Sequence, residues 1–350
     1  MSGSILKVGN LHCGSGIGFP AICRTSPDMH ILLDYPSVHD IKAGHLTGYP
    51  ASILDVCRRY SNVGEPTYVT LFPHPAKFDN PSSFFHPRKD CPDLAAGNPY
   101  HKQLGYLRSE YLPHYQQARE ECRKAPLVLA LGDLSLWALA GERMLDHRGT
   151  ILYWDGLRII PSHHPRAVIK DHSLLPVLAM DMRKAWRESL KPHSVFPRRT
   201  LRIVESVADM RRATEAILRA GTFAFDIETS RQQITMICFA PSPHEVYVVP
   251  IFNPTNAWSE EDELRIWAYI QILMASRCRK IAHNAVYDLT YLAMMGIEIK
   301  FPVDDTMLLA HSTEIEWQKS LGFLGSIYCN EKSWKLMRIG KVKDRNKKDE

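Results

Sequence analysis

"FAFDIETS", residues 223–230, ends an apolar run with two acids two positions apart. Side chains alternate faces along a strand. Phe223, Phe225 and Ile227 therefore share one face, and Asp226 and Glu228 share the other. Two carboxylates side by side at the end of a buried strand repel each other. That arrangement makes sense when a divalent cation sits between them. Taken alone, the same D-x-E also fits a strand whose acids simply face water.

A later stretch bears on the choice. In "HNAVYDLTYL", residues 283–292, Asn284 and Asp288 stand four apart on one helical face. Leu289, Leu292 and Ala293 are available for the buried side. Asp288 lies near the helix start, from where it projects toward the strand end that carries Asp226. The plainer reading makes Asn284 an N-cap and Asp288 a solvated acid of the first turn.

The surrounding chain reads as two α/β regions. The second opens with a strand at "TLRIVES" and a helix at "VADMRRATEAILRAG" that stops at Gly221. Strands are expected at 223–229, 234–240 and 245–251, a helix over 259–276, and a strand entering a helix over 279–296. Three strands before the first crossover imply a mixed sheet. The first region alternates strands (29–35, 67–73, 125–133, 156–165) with helices (50–61, 106–124, a short one after 133, and 174–189). That alternation fits an α/β/α layered domain. Residues 74–98, rich in proline, read as a long loop. Between the regions "SLKPHSVFPRRT", residues 189–200, has two prolines, two adjacent arginines and little periodicity, and reads as a linker.

Composition sets the outer bounds. At 350 residues, 45% apolar and 23% charged, the chain is that of a globular protein with room for two cores. No window approaches 18 uncharged apolar residues, so no membrane span is expected, and the first residues carry no secretion-signal pattern. Cysteines at 13, 23, 57, 91, 122, 238, 278 and 329 form no C-x-x-C pair, so reduced thiols in a cytoplasm are the expectation. In a virus that would be the host cytoplasm. The net charge of +5 is compatible with a nucleic-acid partner and does not by itself argue for one.

Four segments in order, "FDIETS", "HNAVYDLTYL", "DDTMLLAH" and "KSLGFLGSIY", resemble the 3′–5′ exonuclease domain of family A DNA polymerases, especially those of bacteriophages. The likeness covers about residues 201–335 and implies a ribonuclease H-like fold with a mixed sheet. It implies Asp226 and Glu228 as the first exonuclease motif and Asp288 in the second, with Asn284 bracing the site. It makes Asp305 a helix cap rather than a ligand. The implied chemistry is two-metal hydrolysis of a phosphodiester at single-stranded DNA 3′ ends, with Mg²⁺ or Mn²⁺ held by Asp226, Glu228 and Asp288. The family's third motif, a tyrosine followed four residues later by an aspartate, is missing: Tyr328 is followed at that spacing by Lys332. The expectation is one incomplete metal site, completed by a second chain carrying that motif and the polymerase domain, or left crippled as a DNA- or polymerase-binding module. Residues 336–350 read as a basic tail.

In the first region, taken as a domain of residues 1–188, "ILLDYPSVHDIKAGHLTG", "LVLALGDLSLWALAG", "RGTILYW", "GLRIIPSHHPRAVI" and "AMDMRKAW" resemble a uracil-DNA glycosylase-like domain over about residues 28–188. The resemblance implies an α/β/α sandwich that flips a base into a pocket, with Asp34 as the acid and His164 in the second motif. Leu46 stands where a stacking aromatic is expected, and Leu71 where an amide-bearing asparagine is expected. A retained fold with lost or altered activity is therefore the expectation, with an active glycosylase as the alternative.

Overall fold

A computed structural model describes residues 29–77, 80–86, 98–252 and 258–331. It is an α/β protein with mixed sheets. The described residues divide into two compact units: those up to Val195 together with those from Gly325 onward, and those within Phe196–Leu324. Cys13, Cys23, Cys91 and the basic tail lie outside the described residues.

The first unit starts with β1 (His30–Leu33), α1 (Val38–Ala43), α2 (Gly48–Ser61) and β2 (Thr67–Thr70). Short strands β3 (Phe85–His86), β4 (Tyr100–His101) and β5 (Gly105–Leu107) form a small antiparallel sheet. α3 (Leu112–Arg123), β6 (Val128–Leu131), α4 (Asp133–Ala140), α5 (Met144–His147), β7 (Leu152–Trp154), β8 (Leu157–Ser162), α6 (Pro165–Lys170) and α7 (Leu174–Ser189) follow. The main sheet runs β2-β1-β6-β8-β7, with the first four strands parallel and β7 antiparallel at the edge. β1, β6 and β8 are buried along their whole length, and their apolar runs are Ile31–Leu33, Val128–Leu131 and Ile159–Ile160, with His30, Arg158 and Ser162 as buried polar residues.

Over 106–124, where Pro113 is expected to interrupt the helix or mark its start, it marks the start: it cannot donate to a preceding turn and sits in the first turn of α3, after strand β5 and a 3₁₀ turn at Ser109–Tyr111. The stretch 156–165, read as a strand running into a loop, ends in a helix instead. His164 caps α6 through its ring and Pro165 occupies the first position. In the segment read as a long loop, the described residues include a 3₁₀ turn at Pro81–Phe84 and β3.

The second unit contains β9 (Thr200–Ile203), α8 (Val207–Ala220), β10 (Thr222–Ser230), β11 (Gln233–Ser242), β12 (Glu245–Pro250), α9 (Glu260–Met274), β13 (Arg279–Ala282), α10 (Ala285–Met294), β14 (Val303–Asp305) and α11 (Thr306–Thr313). A further helix, α12 (Leu321–Tyr328), crosses the division. Its sheet runs β14-β13-β10-β11-β12-β9. β11 is antiparallel to both neighbours, and β9, β13 and β14 pair in parallel, so the sheet is mixed, as three successive strands before a crossover require. Ser206 caps α8 by accepting from the Asp209 N–H, and Gly221 ends it in the left-handed conformation that a side chain would strain. Phe223, Phe225 and Ile227 are buried, and Phe223 meets Phe239 edge-on at 5.8 Å. Each buried ring contributes about 1.5–3 kcal/mol relative to exposure, so the inner face of β10 fixes which face its acids occupy.

Candidate functional site

β10 makes a full ladder with β11, but its pairing with β13 covers only Thr222–Ala224. Beyond Ala224 that edge is open. Asp288, in the first turn of α10, fills the gap: its Oδ1 accepts the backbone N–H of Ile227 at 2.9 Å. Ile227 lies between Asp226 and Glu228, both exposed on the other face. One hydrogen bond across 61 positions thus ties the acid of the second segment to the backbone between Asp226 and Glu228, close enough for the Asp226 charge to act on it.

The electrostatics follow. Asp288 is 3% exposed, and its carboxyl is pushed up to about 6. Burial is the largest cause, and the charges of Asp226 and Asp305 add to it, while the Ile227 N–H opposes it. Asp226 stands opposite Cys238 in the ladder, so the thiol shares the acids' face. It is pushed up to about 11 by burial and by the charges of Asp226 and Glu228.

Asn284 is placed at the N-cap of α10 with φ 63°, exposed, and its side chain makes no hydrogen bond among the described residues. It adopts the left-handed backbone that asparagine tolerates better than most residues. Asp305 caps α11, accepting from Met307 and Leu308, and also takes the N–H groups of Asn284 and Ala285. It therefore stitches the starts of two helices together, and these hydrogen bonds hold its carboxyl below the usual range against the opposing effect of burial.

Two neighbours were not singled out by the sequence. A bulge falls between Glu228 and Thr229, and the Thr229 hydroxyl then meets the Tyr287 hydroxyl at 2.7 Å. Tyr287 packs against Tyr291 at 5.0 Å. The signal was the i,i+4 spacing of two tyrosines around Asp288.

Whether these residues suit a metal turns on two observations. The donor set is three carboxylates, hard oxygen ligands suited to Mg²⁺ or Mn²⁺, and the charge that Asp226 imposes on Asp288 is one a cation would relieve. The expectation is two ions, one of them in a site that Asp226, Glu228 and Asp288 leave incomplete. Among the described residues no three or more His, Cys, Asp or Glu side chains are arranged to hold a metal. One oxygen of Asp288 is already committed to a backbone N–H, and the acids of β10 project from an exposed face.

In the first unit, the sheet order reverses direction between β1 and β6, and ligand crevices in open α/β sheets form beyond the strand ends at such a point. Asp34 follows β1 there and accepts from the backbone N–H (3.1 Å) and hydroxyl (2.8 Å) of Ser135 at the start of α4. Gly132, with φ 97°, lies between Asp34 and His164. A Cβ added to it would come within 3.3 Å of the His164 Cβ and 3.5 Å of Asp34 Oδ2. Burial pushes the Asp34 carboxyl up to about 6, and burial and Arg166 push the His164 imidazole down to about 3. His164 Nδ1 accepts from the Arg166 N–H at 3.2 Å, and its buried Nε2 has no partner among the described residues. Leu46 and Leu71 are both buried.

No protein-family model matches the chain, and no curated protein matches it in sequence. Solved structures match it in part. Escherichia coli RNase D, described as an exoribonuclease involved in structured RNA processing, is 16% identical over 38% of this chain and 34% of its own, with a TM-score of 0.31. The Aedes aegypti Nibbler EXO domain is 14% identical over 45% of this chain and 82% of its own, with a TM-score of 0.34. The catalytic core of Trypanosoma brucei RRP6 is 18% identical over 42% and 40%, with a TM-score of 0.32. The similarity is distant and partial. The chain spans about a third of the length of the E. coli RNase D chain.

Among the described residues no helix is long and apolar enough to cross a membrane.

Proposed function

We propose that the second unit is a metal-dependent 3′–5′ exonuclease acting on single-stranded DNA ends, the proofreading portion of a phage-type DNA polymerase. The observation that carries this reading is the Asp288 hydrogen bond to Ile227, which sets a third acid beside Asp226 and Glu228. A divalent cation held there would supply an activated water near neutral pH and charge stabilisation at the leaving 3′ oxygen. The protein's own part is positional. β10 holds two acids on one face, Ile227 holds Asp288, and the Tyr287–Thr229 pair borders the site. The test is Mg²⁺- or Mn²⁺-dependent release of 3′-terminal nucleotides from single-stranded DNA. Activity that survives Asp226→Ala contradicts the reading.

A second reading is favoured by the absence of a metal-holding group of three among the described residues. In it the unit binds DNA or a polymerase chain and cuts nothing. Metal titration tests it: the second ion should bind very weakly even with DNA present.

For the first unit we propose a glycosylase-like sandwich. The convergence of Asp34 and His164 on Gly132 supports it. Leucines at 46 and 71 favour a platform without uracil selection. Release of free uracil from a uracil-containing strand, lost in His164→Ala, would instead establish an active glycosylase.

A further inference from the structure

We propose that the first unit carries a second binding site, a cavity for a small phosphomonoester, at the edge of the main sheet opposite Asp34 and His164. A cavity of about 580 Å³ opens there, lined by Tyr153, Arg158, Ser189, Lys191, Pro192 and His193 among others. Ala125 and Pro126, which precede β6, also border it, and Arg158 is the second residue of β8. The cavity therefore lies where the parallel strands begin, whereas Asp34 and His164 lie where they end.

Arg158 is the reason to expect an anion. It is 8% exposed, and all three guanidinium nitrogens bond neutral carbonyls: Nε to Pro126 at 2.8 Å, Nη1 to Glu188 at 3.3 Å and Nη2 to Lys191 at 2.8 Å. A guanidinium has five N–H groups, so two remain. No carboxylate pairs with Arg158 among the described residues, although buried charges are normally paired. The end of α7 that it caps carries roughly half a negative charge, so about half of the cation is left uncompensated. Capping alone explains three donors and leaves the other two and the residual charge without a purpose.

The rest of the lining suits a phosphate attached to a planar group. Lys191 adds an ammonium, offset by its ion pair with Glu188, and His193 adds an exposed imidazole. Tyr153 faces Arg158 directly across the β7–β8 ladder, so ring and guanidinium share a side. The Tyr153 hydroxyl accepts the Ser194 N–H at 3.1 Å, which fixes a half-exposed ring at the border of the cavity. The volume is in the range of small-ligand sites. One fork with two free N–H groups matches a terminal phosphate, which it can bind bidentately. A nucleic-acid backbone calls for a row of cations.

The test is calorimetric titration of the full chain with inorganic phosphate, adenosine 5′-monophosphate, adenosine and a dinucleoside phosphodiester. The expected result is saturable binding of the monophosphate and of phosphate, with adenosine and the diester at least about tenfold weaker. Arg158→Lys keeps the charge and loses the fork. The double variant Lys191→Ala/His193→Ala leaves the buried guanidinium in place. Each should weaken the monophosphate several-fold while the melting curve stays native. No binding up to about 10 mM overturns the proposal, as does a diester that binds equally well. Unchanged affinity in the double variant and in a natively melting Arg158→Lys protein overturns it too.

Discussion

Asp288 in the second unit and Asp34 in the first have the same midpoint for different reasons. Each carboxyl is pushed to about 6, and burial is the first cause in both. Their partners then diverge. Asp288 takes one backbone N–H and sits among like charges from Asp226 and Asp305. Asp34 takes an N–H and a hydroxyl from Ser135, and Arg166 draws its carboxyl down. An identical shift thus hides two designs. One is an anionic cluster that a cation would relieve; the other is an acid beside a histidine held neutral by burial. A perturbed carboxyl marks a candidate site, and the sign of the charges around it says what the site would bind.

The largest effect that separates the two is on turnover. If the second unit is a nuclease, Asp226→Ala should lower exonuclease activity on the order of 10²–10³-fold, the scale of losing one charge-stabilising group, with no change in the titration of Asp34. Equal loss from Asp34→Asn would break the distinction.

Next comes stability. In each acid the native state keeps a proton between about pH 4 and 6 that the unfolded chain has released, so folding stability falls as pH rises through that window and stays lower above it. Asp288→Asn and Asp34→Asn keep an acceptor for Ile227 and Ser135 and remove the charge. Each should therefore raise stability at pH 8 by roughly 1–3 kcal/mol, with almost no gain at pH 4, as read by thermal melts. Only the first should abolish nuclease activity.

A smaller effect tests the first unit alone. Ser135→Ala removes the hydroxyl that Asp34 accepts from, so above pH 6 it should cost about 1 kcal/mol, and it should move the Asp34 midpoint higher still. The smallest effect is at the border of the acid cluster. Thr229→Val removes an exposed hydroxyl pair with Tyr287 and should cost roughly 0.5 kcal/mol, with the Asp288 midpoint unmoved.

Much of this was legible in the residues, and the reasons for the rest are physical. α7 occupies Leu174–Ser189, the span its periodicity indicates, because an amphipathic stripe and the chain breaks around it point the same way. The face of β10 that carries the acids was also readable, since Phe223, Phe225 and Ile227 alternate with them and are buried. Three things were not. The two-residue strands β3 and β4 leave no periodicity to read. The start of α6 was signalled by Pro165, but a histidine is a rare cap and masked it. The Asp288–Ile227 bond depends on where the β10–β13 ladder stops, which is set by the register of strands more than fifty positions apart.

An NMR titration of the Asp288 carboxyl carbon with and without Mg²⁺ asks directly whether Asp288 shares one anionic site with Asp226 and Glu228. The expected midpoint lies near 6 in the metal-free protein and drops by at least about one unit when Mg²⁺ is added, while Asp34 stays put. An Asp288 midpoint that starts in the ordinary carboxylate range, or does not move with the cation, would contradict a shared site.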